Sequence, residues 1–204
     1  MPITAFALNC SLKPSGADEK SSTDKMLCDV LDALRKHGVT ASGPVRAADR
    51  NIKPGVMSDM GEGDEWPGIL EKVLASEIVI LATPVWWGNQ SSAIQRVIER
   101  LDELHDKVLA GEGSGLEGKA GGIVITGDSD GAQQVIGNLC NFFNAIGLLI
   151  PPYATLSVLW ERQAKSADPS KEELLRKYEA DYSSTADRMI DQLLAHASSD
   201  RRGS

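Results

Sequence analysis

Residues 78–91 read IVILATPVWWGNQS. The five residues Ile78, Val79, Ile80, Leu81 and Ala82 form an unbroken apolar run, closed by Thr83-Pro84. A run this short, rich in β-branched side chains and ended by a turn signal, reads as a strand buried on both faces. The pattern recurs at residues 3–8 (ITAFAL) before Asn9, and at 123–125 (IVI) before Thr126-Gly127. Residues 154–159 (ATLSVL), after Pro151-Pro152, make a fourth strand. Residues 39–45 are more polar and read as an edge strand.

Between these strands the apolar spacing turns helical. Met26, Leu27, Val30, Leu31 and Leu34 form one stripe, with Gly38 placed as the glycine just past a helix end. Trp66, Ile69, Leu70 and Val73 form a second, and Ile94, Val97, Ile98, Leu101 and Leu104 a third. Val135, Ile136, Leu139, Phe142, Phe143 and Ile146 form a fourth. A fifth, long helix is expected after Asp168-Pro169, carrying Leu174, Tyr178, Tyr182, Met189 and Leu193, with Asp168 as N-cap and Pro169 as its first residue. Strictly alternating strands and helices imply an α/β domain, with a parallel sheet covered by helices on both faces. One such domain is expected over residues 1–197, with a polar, frayed tail at 198–204.

The composition suits a globular chain: 42% of the 204 residues are hydrophobic and 25% charged, which argues against a disordered segment. Acids exceed bases 29 to 21, a net charge of −8, so a nucleic-acid-binding role is disfavoured. No apolar run reaches the length of a membrane span. Cys10, Cys28 and Cys140 show neither metal-ligand nor redox-motif spacing, which fits a reducing, cytoplasmic setting.

Ligands of open α/β sheets bind beyond the carboxyl ends of the strands. Three segments lie there. The first runs from Asn9-Cys10-Ser11-Leu12-Lys13 to Lys20-Ser21-Ser22-Thr23, offering hydroxyls and a helix start to an oxyanion such as phosphate. The same residue types also cap helices that bind nothing. The second is Thr83-Pro84-Val85-Trp86-Trp87-Gly88, where large rings would flank a planar ligand; one of the two tryptophans is expected to pack in the core under the third helix. The third is Thr126-Gly127-Asp128-Ser129-Asp130-Gly131, with glycines that allow close backbone approach, or simply a tight turn. Asp128 and Asp130 lack the companions a metal site needs. Residues 113–118 (GSGLEG) match GxGxxG, but they follow a helix and precede a strand, the reverse of a dinucleotide fingerprint, and read as a flexible connector.

Together these loops resemble the flavodoxin-like NAD(P)H-dependent FMN reductases and quinone reductases, including the multimeric flavodoxins. Asn9-Cys10-Ser11 resembles that family's NGS phosphate-loop start, and Pro84-Val85-Trp86-Trp87-Gly88 its P-x-[YW]-[WF]-G motif. Arg100-Leu101-Asp102 and Leu116-Glu117-Gly118-Lys119 resemble two further family segments. The resemblance implies a three-layer sandwich with a five-stranded parallel sheet in order 2-1-3-4-5. It implies bound FMN, with NAD(P)H as co-substrate. Carried over by position, Ser11, Lys13, Ser21, Ser22 and Thr23 would hold the phosphate. Pro84, Val85, Trp86, Trp87 and Gly88 would line the isoalloxazine. Thr126, Gly127 and Asp128, with Asp130 and Gly131, would contact its pyrimidine side. The reaction implied is hydride transfer from NAD(P)H to flavin and on to a quinone or similar small acceptor, by a homodimer or homotetramer and with no side-chain acid or base. A flavodoxin-type electron carrier without NAD(P)H oxidation is the alternative. A phosphoacceptor receiver is disfavoured, because Asn9 and Thr83-Pro84 stand where its acids would be.

Overall fold

The computed structural model describes residues 2–16, 21–163 and 170–200. The central strands are β1 (Thr4–Asn9), β4 (Ile78–Trp86), β6 (Ala120–Gly127) and β7 (Thr155–Leu159). Two two-residue pieces, β2 (Thr40–Ala41) and β3 (Val45–Arg46), pair in turn with the start and the end of β1. They are the expected edge strand, broken at Ser42-Gly43-Pro44. A proline has no N–H for the ladder, and glycine weakens a strand. The sheet order is β2-β1-β4-β6-β7, with all four neighbouring pairs parallel. Counted as five positions, this is the 2-1-3-4-5 order of a flavodoxin-like fold. Strand β5 (Asn89–Gln90) adds a short antiparallel hairpin to the end of β4.

Helices α2 (Trp66–Leu74), α3 (Ser92–Leu109) and α4 (Ala132–Ala145) cover one sheet face, and α1 (Ser22–Lys36) and α6 (Ser183–Asp200) the other. Side chains alternate along each strand, so β1 sends Phe6 and Leu8 to the first core and Ala5 and Ala7 to the second. In β6, Gly122 admits α6: a Cβ there would lie 2.7 Å from Met189 Cε.

The C-terminal helix departs from expectation. It is two helices, α5 (Lys171–Asp181) and α6, which meet at Tyr182. Ser170 caps α5 in a reciprocal capping box with Glu173. Asp168 and Pro169, expected to start it, lie outside the described residues. At the break, the Tyr182 hydroxyl donates to the Leu159 carbonyl (2.7 Å) and accepts from the Leu159 N–H (3.2 Å). Helix α6 spans Ser183–Asp200.

The 113–118 segment is likewise tied down. Glu117 accepts from the N–H groups of Ser114 and Gly115, and the buried Ser114 hydroxyl donates to Ile146 O at the end of α4. Among the described residues, no helix is long and apolar enough to cross a membrane.

Candidate active site

The loops after β1, β4 and β6 meet at one edge of the sheet, as the strand order requires. The first begins at Cys10, whose N–H donates to Ala82 O and whose carbonyl accepts from the Ser91 hydroxyl at 2.6 Å. Its thiol is fully buried, and burial pushes the pKa far above the ordinary thiol range, so Cys10 is a packing residue here. Ser11 follows, 3% exposed. Its N–H donates to Asn9 Oδ1 (2.9 Å), yet its hydroxyl finds no hydrogen-bond partner among the described residues. Buried hydroxyls are nearly always paired, and an exception asks for an explanation.

Helix α1 opens beside this loop. Ser21 is its N-cap and accepts from Asp24 N–H, while its carbonyl accepts from Lys25 N–H. The N–H groups of Ser22 and Thr23 have no carbonyl partner within the helix. Thr23 is buried, and its hydroxyl bonds the Thr126 hydroxyl at 2.7 Å, tying the first loop to the third. Both side chains, expected to face a ligand, are therefore joined to each other. Lys13 is half-buried, with its carbonyl held by Arg46 Nη1 (2.9 Å). The Ser15 N–H donates to Asp49 (2.8 Å), and this bond leads the causes that hold the Asp49 carboxyl below the usual carboxylate range.

The second loop is the β4–β5 hairpin, turned by Trp87 (φ 51°) and Gly88 (φ 75°). Two consecutive positive φ values make a type I′ turn, which matches the strand twist but normally carries Asn or Gly first. Trp87 there is an outlier for a bulky residue. Trp86 is 43% exposed and Trp87 96% exposed, so neither packs in the core as one was expected to. The hairpin lifts both off the sheet. Its flanks are fixed: Gln134 donates to Asn89 Oδ1 and Asn138 to Gln90 Oε1. Pro84 and Val85 are half-buried, and Val85 packs against the core below.

The third loop presses on that turn. A Cβ on Gly131 (φ 99°) would meet Gly88 Cα at 2.7 Å, so only glycine lets the two loops touch. The Gly127 carbonyl is taken by the Trp160 N–H and by Gln163 Nε2, both at 2.9 Å. Asp128 and Asp130 are exposed.

Sequence reading missed residues behind the site. Arg46, Asp24 and Asp49, with Asn9, brace the first loop, and Trp160 and Gln163 brace the third. Their signal is the β1–β3 and β6–β7 register, which appears only once the strands are paired.

The NADPH-dependent FMN reductase family model matches residues 3–159, and this chain belongs to that family. FMN and NADPH are the flavin and reductant of the family. The chain is 36% identical over 156 residues to the divalent metal cation transporter MntH of Mycobacterium bovis, covering 74% of this chain and 22% of that protein. It is 27% identical over 163 residues to 8-demethyl-8-aminoriboflavin-5'-phosphate synthase of Streptomyces davaonensis, covering 76% and 62%. The chain thus spans less than two thirds of either relative. A crystal structure of RosB with its bound intermediate OHC-RP (8-demethyl-8-formylriboflavin-5'-phosphate) shares the fold, with a TM-score of 0.79 at 22% identity, over 98% of this chain and 81% of that one.

The residues present fit a flavin mononucleotide. A buried hydroxyl at Ser11 without a partner among the described residues, together with the opening of α1, suits its phosphate. Exposed indoles suit a flat ring system.

Proposed function

We propose that this chain is an FMN-dependent oxidoreductase that takes hydride from NAD(P)H and passes the electrons to a quinone or a similar small acceptor. FMN, when bound, supplies the hydride chemistry; the protein supplies position. Ser11, Lys13, Ser21, Ser22 and Thr23 would hold the phosphate, Ser11 through its hydroxyl and Thr23 chiefly through its N–H. The rigid hairpin of Pro84, Val85, Trp86, Trp87 and Gly88 would seat the ring. The backbone of Thr126, Gly127, Asp128, Asp130 and Gly131 would border the pyrimidine edge. Exposed Trp86 and Trp87 favour a homodimer or homotetramer, in which a partner subunit covers the indoles.

The observation that carries this reading is the Ser11 hydroxyl, buried beside a helix start and without a partner among the described residues. The test is flavin titration of the apoprotein, followed by NADH and NADPH oxidation with a quinone acceptor and by light scattering. FMN should bind much more tightly than riboflavin, and NAD(P)H should be consumed by a dimer or larger assembly. Equal affinity for the two flavins would overturn the phosphate assignment. Tight FMN binding by a monomer with no NAD(P)H oxidation would make the chain an electron carrier.

A further inference from the structure

The first turn of α1 carries an acid, Asp24, at the place where the reading above seats a phosphate. A carboxylate favours a helix N-terminus, but it repels a second anion brought to the same turn. The structure answers with Arg46. Its Nη2 lies 2.8 Å from Asp24 Oδ2, its Nη1 donates to Lys13 O at 2.9 Å, and its Nε stands 4.0 Å from Asp49 Oδ2. The Arg46 side chain is 14% exposed, so this is not a loose surface pair.

The network continues inward. Asp24 Oδ1 accepts from Asn9 Nδ2 at 2.9 Å, and Asn9 Oδ1 accepts from the Ser11 N–H at 2.9 Å. Arg46 sits directly opposite Asn9 in the β1–β3 register. An unbroken path of charged and polar groups thus runs from the edge strand to the N–H of Ser11, whose hydroxyl has no partner among the described residues.

We propose that Arg46, acting through Asp24 and Asn9, is the positioning residue that makes this loop receptive to a flavin phosphate. It cancels the Asp24 charge and fixes the loop at Lys13 and Ser11. The proposal rests on the flavin-phosphate reading above. It assigns to the short edge strand β3 the discrimination between phosphorylated and unphosphorylated flavin.

The test is the FMN and riboflavin affinity of four proteins: the natural chain, Arg46→Gln, Asp24→Asn and the double variant. Flavin fluorescence gives the affinities, and apoprotein melting runs alongside. Arg46→Gln leaves a bare carboxylate at the site and should weaken FMN about tenfold, with riboflavin changed by less than about twofold. Asp24→Asn keeps the oxygen that accepts from Asn9 and frees the Arg46 charge, so FMN should bind several-fold tighter. The double variant should recover most of the FMN affinity lost in Arg46→Gln. Parallel losses of FMN and riboflavin would reduce Arg46 to a structural brace and overturn the proposal. Should Arg46→Gln not fold, Asp24→Asn decides alone: an unchanged ratio of FMN to riboflavin affinity overturns the proposal. A preference for FMN in the natural chain that survives Arg46→Gln overturns only this proposal; no preference in the natural chain overturns the flavin-phosphate reading itself.

Discussion

Two polar arrangements on different helices differ in how they end. Arg100 on α3 and Asp64 just before α2 have no exposed side-chain surface and pair at 2.6 Å. Arg100 also donates to Met57 O and Lys53 O, and its guanidinium lies 5.8 Å from the Trp66 ring centre. Asp64 accepts in addition from the N–H groups of Met60, Lys53 and Trp66. The pair is closed by protein groups and holds the 51–64 loop on the helix. After β1, by contrast, the bonded path from Arg46 ends at the Ser11 N–H, and the hydroxyl of that residue has no partner among the described residues. A completed polar network stabilises a loop, whereas a buried polar group left open asks for an explanation, which the flavin-phosphate reading supplies at Ser11.

The largest expected effect breaks the closed network. Asp64→Ala leaves the Arg100 charge buried without its partner and should cost about 3–5 kcal/mol of stability, read by urea unfolding. Flavin affinity per folded molecule should change little. A cost below about 1 kcal/mol would mean the pair behaves like an exposed one.

The next pair sharpens the contrast within the open network. Ser11→Ala removes a hydroxyl that bonds nothing among the described residues. Apoprotein stability should stay within about 0.5 kcal/mol, while FMN binding weakens by about 1.5–3 kcal/mol. Thr23→Val should do the reverse, because it strands the buried Thr126 hydroxyl: about 1–3 kcal/mol of apoprotein stability is lost, with a smaller effect on FMN. Similar profiles for the two variants would erase the distinction between a site hydroxyl and a structural one.

The smallest effect is in acid. Burial raises the Asp64 pKa, but the Arg100 guanidinium and three backbone N–H groups outweigh it and hold the carboxyl well below its usual range. The folded state therefore binds this proton less readily than the unfolded chain. Its stabilisation is whole above about pH 4 and is lost as the pH falls below that. Unfolding free energies measured down through about pH 3 should fall more steeply for the natural chain than for Asp64→Asn.

The strands were legible because burial on both faces leaves unbroken apolar runs, as in residues 78–82. The three loops followed from the rule that ligands lie beyond strand ends. What sequence spacing could not carry was pairing across the sheet. Arg46 lies 37 residues from Asn9 and meets it only through the strand register. The tryptophans misled for a local reason: a bulky residue rarely takes positive φ, so an exposed Trp87 at a hairpin tip had no ordinary sequence signature. The break at Tyr182 was hidden because the apolar stripe continues across it.

That break has a consequence at the far side of the molecule. Strand β7 is the last in the sheet, so its outer N–H and C=O groups are a template onto which another chain's strand could add. The Tyr182 hydroxyl occupies both groups of Leu159 at once, standing in for one rung of an absent neighbour. With one rung already occupied, that edge is a poorer template for strand addition than a bare one.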